Sequence, residues 1–111
     1  MSKIFYMPAP DLTGVWAASG ASDTFVDEVS VFKFVTRQDG KTAVFSVCGE
    51  VSACRQALGG LRRGWMSMVC TSTMFAPAST QAIGTLKLGA AELQADGGWK
   101  MVEQAEVIYI E

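Results

Sequence analysis

Apolar and polar positions alternate most clearly between residues 29 and 48. Residues 29–36 are β-branched and aromatic, which suits a pleated, half-buried surface. A second apolar run follows Asp39-Gly40, a pair favoured in two-residue type I′ hairpin turns. Such a turn sets Gln38 opposite Lys41, Phe34 opposite Phe45 and Phe32 opposite Val47. Side chains alternate across a sheet, so these three aromatics and Val47 share one face. The other face carries Val31, Val35 and Val44 beside Lys33 and Ser46. It is too apolar for plain solvent and too polar for plain core. A one-residue slip would mix the two faces.

Elsewhere the pattern predicts a first strand over residues 3–7, ended by Pro8 and Pro10. Residues 11–27 read as a loop with a short strand or helical turn around Val15 and Trp16. Val51, Cys54, Leu58, Leu61 and Trp65 fall at spacings of three and four, predicting a helix from Glu50 to Arg63. Gly59 and Gly60 weaken that helix, and Gly64 stops it. A strand is predicted over 65–75. Residues 79–95 match helix and strand periods alike, and Gly84 and Gly89 favour a short helix followed by a strand. A second hairpin is expected at Asp96-Gly97-Gly98, with Ala95 opposite Trp99 and Leu93 opposite Met101. Residues 106–111 read as a terminal strand. The elements sum to an α+β fold, a single domain over 1–111. Its mostly antiparallel sheet of about five or six strands carries one or two helices packed on one face, over Phe32 and Phe34.

Composition adds a tension. Of the 111 residues, 50% are hydrophobic and 18% charged, against about 25% charged in an average globular chain. Either the core is unusually full, or some apolar surface is covered by a second copy or another protein. No run of about 20 apolar residues predicts a membrane span, and no convincing signal segment is present at the N-terminus. A cytoplasmic protein is expected.

Charge is unevenly placed. The formal net charge is −2, yet residues 51–91 carry +4, leaving −6 for the rest. Arg55, Arg62 and Arg63 cluster on or just after the predicted helix, with Arg55 and Arg62 two turns apart. Guanidinium groups bind carboxylate or phosphate through paired hydrogen bonds, so these three are candidates for an anion or an acidic partner. The plainer reading is a solvated helix face paired with the chain's own acidic segments. The acidic balance and the small number of basic residues argue against nucleic acid.

The chain has no histidine, which removes the commonest general base and a common metal ligand. The odd set Cys48, Cys54 and Cys70 fits neither a disulfide framework nor a zinc spacing, and buried small hydrophobes are the expected role. No metal or cofactor is expected, and no catalytic residue can be named. The glycine-rich 59–64 segment lacks the Gly-Lys-Ser/Thr ending of a phosphate loop. Asp23, Asp27 and Glu28 border a Ser/Gly loop, and a solvated loop explains them. Trp16, Trp65 and Trp99 adjoin turns or element ends. With Val35 and Val44, they are the interface candidates.

These features favour a small non-catalytic binding protein, of accessory or inhibitor type, acting through a protein surface on a partner or on itself as a homodimer. Two alternatives are carried. One is a small-molecule binder or minor enzyme, with a pocket between the sheet and the 11–27 loop lined by Trp16. The other is a structural subunit of a larger assembly such as a viral particle.

Overall fold

The computed structural model describes residues 2–73 and 77–110. The strands, in chain order, are β1 (Ile4–Met7), β2 (Val15–Trp16), β3 (Phe32–Thr36), β4 (Thr42–Val47), β5 (Cys70–Thr71), β6 (Ala82–Lys87), β7 (Gly89–Leu93), β8 (Trp99–Glu103) and β9 (Ala105–Ile110). A 3₁₀ turn, Ala18–Gly20, follows β2, and the helices α1 (Val51–Arg63) and α2 (Met66–Val69) lie between β4 and β5. The fold is α+β: a six-stranded antiparallel sheet, a small second sheet and two helices.

The large sheet runs β1-β3-β4-β7-β8-β2. Laid flat, β1 and β8 would stand four ladders, or about 19 Å, apart. Instead the Phe5 and Trp99 rings lie 5.7 Å apart. The sheet therefore curls until its ends meet across its own interior, the limit of the twist every sheet carries. Trp16, fully buried, fills that interior against Phe32, Phe34 and Phe45, with ring centroids at 5.4, 4.9 and 5.0 Å. The 11–27 segment thus contributes a short strand and a 3₁₀ turn, as its sequence suggests, and also the centre of the core.

The β3–β4 register matches the sequence: Phe34 pairs with Phe45, Phe32 with Val47 and Lys33 with Ser46. The turn chemistry differs. Gly40 has φ +68°, but Asp39 does not share the positive φ that a type I′ turn requires. The loop spans four residues, closed by Arg37 N–H donating to the Thr42 carbonyl and Gly40 N–H to the Arg37 carbonyl. The Asp39 carboxylate accepts from the Lys41 and Thr42 amides, making a turn with its side chain. Lengthening the loop by one residue on each side leaves the register unchanged.

Helix α1 ends where expected, at Gly64 with φ +89°. Its buried face differs from the expected large-residue stripe, because Val51 is exposed while Ala53, Ala57 and Gly60 are buried. Small residues let the helix lie close to its neighbours. The two adjacent glycines then have opposite predicted effects. A methyl at Gly59 meets nothing within 4 Å, whereas one at Gly60 would lie 2.3 Å from the Trp65 indole. Gly59→Ala should stabilise the protein by about 0.5–1 kcal/mol. Gly60→Ala should destabilise it by about 1–3 kcal/mol, since overpacking outweighs the helix gain. Denaturant midpoints read the two signs, and two equal shifts of the same sign would refute the packing argument.

Three other expectations change. The 65–75 strand is instead α2 followed by the two-residue β5; Met74 and Phe75 lie outside the described residues. The reason is Trp65, which folds back over Gly60 and meets Phe32 at 6.1 Å, starting a helical turn. Residues 79–95 hold two strands and no helix, because β6 pairs with β9 and β7 with β4. Finally, Leu93 pairs with Trp99 and Ala91 with Met101 around a five-residue loop. The pairing is two residues from that expected, so Trp99 keeps its inward face. The interior of the Phe32/Phe34 face is likewise filled mainly by the curl itself, with the helices closing one end through Trp65.

The second sheet runs β5-β9-β6, with β5 parallel and β6 antiparallel to β9. It joins the large sheet where Val47 N–H donates to Thr85 Oγ1 at 3.0 Å. No helix among the described residues is long and apolar enough to cross a membrane.

Candidate functional site

The structure separates the three arginines. Arg55 forms an exposed ion pair with Glu28, and the Glu28 carboxylate holds the guanidinium pKa above its ordinary value. Glu28 is itself fixed, with φ +67° and its N–H donating to Ser52 Oγ. Arg62 and Arg63 are exposed in the last turn of α1, where cations oppose the negative end of the helix dipole. One guanidinium is thus engaged by the chain's own carboxylate, and two suit the helix terminus on which they stand.

The three tryptophans are core residues. Trp16 is fully buried, and Trp65 and Trp99 are 7% and 6% exposed. The Trp16 indole N–H has no oxygen or nitrogen partner, and its T-shaped neighbours are Phe32 and Phe34. The cysteines are free and buried. Burial pushes the Cys48 and Cys70 thiols up to about 12, away from nucleophilic thiolate chemistry. The Cys54 thiol points to the Cys48 and Ile83 carbonyls at 3.6 and 3.9 Å. Asp11 and Asp39 are held below the usual carboxylate range, Asp11 first by the Thr13 hydroxyl and Asp39 first by the Lys41 amide. Both shifts come from exposed loop turns, so these carboxylates order the chain locally.

Val35 and Val44 stand elsewhere, on the outer face of the curl. Ladder registers align Ile4, Val35, Val44 and Ala90 into one band across four strands. Val35 and Val44 are half-buried and Ile4 is 50% exposed, whereas Ala90 is buried and the next partner in register is Glu103. On one side runs the row Tyr6, Lys33 and Ser46. Phe25 covers its Tyr6 end, edge-on at 6.0 Å. On the other side runs Arg37, Thr42, Glu92 and Lys100. Val102, at the bulge in β8, and Leu88, just before β7, are also exposed. Set beside known protein families, curated proteins and solved structures, this chain matches none. Its chemistry is therefore read from the surface alone: an apolar band, edged by charges of both signs, that can bind by removing area from water.

A concavity lies where β1 approaches β8. Lys3, Phe5, Ala21, Asp23 and Trp99 line an open groove of about 340 Å³. It falls between the sheet and the 11–27 loop, where the sequence suggests a pocket, but Trp99 lines it in place of Trp16. Lys3 and Asp23 supply opposite charges above an aromatic floor. Sequence reasoning missed Lys3 because nothing local links residue 3 to residues 23 and 99; only the curl does. Among the described residues, no three metal-ligating side chains converge.

Proposed function

We propose that this protein is a small non-catalytic binding protein, of accessory or inhibitor type, whose working surface is the outer face of the curled sheet. The observation that carries the reading is the row Ile4, Val35 and Val44, apolar across three strands, with Ile4 exposed and both valines half-buried. Solvated sheet faces normally alternate with polar residues, so a continuous apolar row suits a surface that meets another molecule.

Val44→Glu tests this, because the change falls on the exposed apolar row and outside the core. The variant should melt within a few degrees of the wild type. The native mass of the complex isolated from its own cell should fall to that of the chain alone. A complex that survives Val44→Glu unchanged would refute the reading.

The groove favours a second reading, a site for a small zwitterionic aromatic molecule held between Lys3 and Asp23 over Phe5 and Trp99. Its volume lies at the low end for small-molecule sites, about 300–1,000 Å³.

A further inference from the structure

The seam where the ends of the curled sheet meet is open at one end. Along β1, the Lys3 carbonyl accepts from the Thr36 amide, while the Tyr6 N–H and C=O both bond to Ser22, at 2.8 and 3.0 Å. Backbone groups alternate sides along a strand. Those of Ile4 therefore share the Tyr6 side and point away from β3, into the seam. Thr24 would meet Ile4 if the Ser22 pairing ran on. It does not, because the Ser22 hydroxyl donates to the Thr24 carbonyl and accepts from the Thr24 amide, turning the chain away. Among the described residues, the Ile4 N–H and C=O are left without a partner.

The groove lies against this stretch. Lys3 and Phe5 flank Ile4, Ala21 and Asp23 flank Ser22, and all four line the groove with Trp99. A ligand that pairs with Ile4 needs a donor and an acceptor spaced as in one amino-acid residue, which an extended peptide supplies. The two charges choose its direction. Among the described residues neither Lys3 nor Asp23 belongs to an ion pair. An antiparallel peptide continues the ladder begun by Ser22, with its first residue opposite Ile4 and its second opposite Lys3. Its α-ammonium then starts at the Asp23 end and its carboxylate lies toward Lys3. A parallel peptide reverses both contacts and opposes like charges. Phe5 and Lys3 are two residues apart on β1, about 7 Å, the length of an extended dipeptide. Directly opposed residues point to the same side of a sheet, so the second side chain follows Lys3 and Phe5 into the groove while the first stays outside. There the Phe5 and Trp99 rings, 5.7 Å apart, make an apolar floor. We infer that the groove takes a free dipeptide, antiparallel to β1 and with an aromatic second residue. This deepens the small-molecule reading of the groove and rests on it.

The complex is weak, because the charges are exposed and the floor offers only ring edges, with Phe5 and Trp99 5% and 6% exposed. At the efficiency usual for small ligands, Ala-Phe should bind at about 0.1–1 mM.

Amide NMR titration of the full chain tests this, with Ala-Phe as the probe. The Ile4 amide proton should move downfield as it gains a hydrogen bond. Phe-Ala, the same residues reversed, should bind about fivefold more weakly or worse, since its ring is turned out of the groove. Lys3→Glu and Asp23→Lys should each weaken Ala-Phe about fivefold. Both side chains are exposed, and melting curves check that the variants fold. An Ile4 amide that stays in place while Ala-Phe binds overturns the inference, as do equal affinities for Ala-Phe and Phe-Ala. Free phenylalanine binding as tightly as Ala-Phe overturns the dipeptide while the small-molecule reading stands. No binding of either at about 10 mM removes both.

Discussion

Trp16→Ala is expected to melt about 12–25 °C below the wild type. The indole is fully buried and touches Phe32, Phe34 and Phe45 at once. Truncating a large buried aromatic costs about 3–5 kcal/mol, the lost transfer energy plus the cavity left behind. For a domain near this size each kcal/mol moves the midpoint by about 4–5 °C. The whole stability of such a domain is about 5–15 kcal/mol, so the variant retains little margin. The site collapses poorly because its walls are strands of a sheet already curled to contact. Trp16→Phe should cost much less, since it also removes the unpaired indole N–H. Thiol labelling gives a second readout: Cys48, Cys54 and Cys70 are buried and should react in Trp16→Ala at temperatures where the wild type is protected. A Trp16→Ala protein as stable as the wild type would mean that the curl does not depend on its central ring.

Gly89→Ala should be nearly as damaging, although it adds a single methyl. A Cβ at residue 89 would stand 2.3 Å from Phe45 Cζ and 2.8 Å from the backbone nitrogen of Ala105. Alanine at an ordinary strand position is mildly better than glycine. Here the ring of Phe45 lies over the glycine, and β9 begins directly behind it. Overpacking of this kind costs about 1–3 kcal/mol, and the value expected is at the upper end because one neighbour is backbone. In a Phe45→Leu background the ring no longer blocks the methyl, so the penalty of Gly89→Ala should shrink without vanishing. The Ala105 contact remains. Urea midpoints in a double-mutant cycle measure the coupling. Strict additivity of the two changes would show that Phe45 is not what excludes a side chain from position 89.

Both variants concern packing that the sequence does not display, and the contrast with the β3–β4 hairpin is instructive. There, Phe32, Phe34, Phe45 and Val47 read correctly as one face because period-two alternation is a local property of the chain. The register followed too, although the turn differed, because a loop lengthened evenly on both sides keeps the same partners. The end of α1 at Gly64 was equally legible, since a left-handed cap favours glycine. The candidate site divides in the same way. Val35 and Val44 could be placed on the ambiguous outer face from alternation alone, whereas Val31, which the same alternation puts there, is fully buried just before β3 begins. Ile4 could not, because it reaches that row from a strand tens of residues away.

Sequence by itself determined the α+β class, the inward face of the hairpin and the position and stop of the long helix. These follow from residue identity and short-range periodicity. Tertiary structure alone decided that residues 79–95 form two strands, that residues 65–71 begin as a helical turn and that the tryptophans belong to the core. It also decided that the sheet curls around Trp16, which brings Lys3 to Asp23 and Trp99 at the groove. The physical reason is common to all of these. Each depends on which distant strand or ring is available as a neighbour, and a short apolar stretch takes whichever conformation buries it against that neighbour.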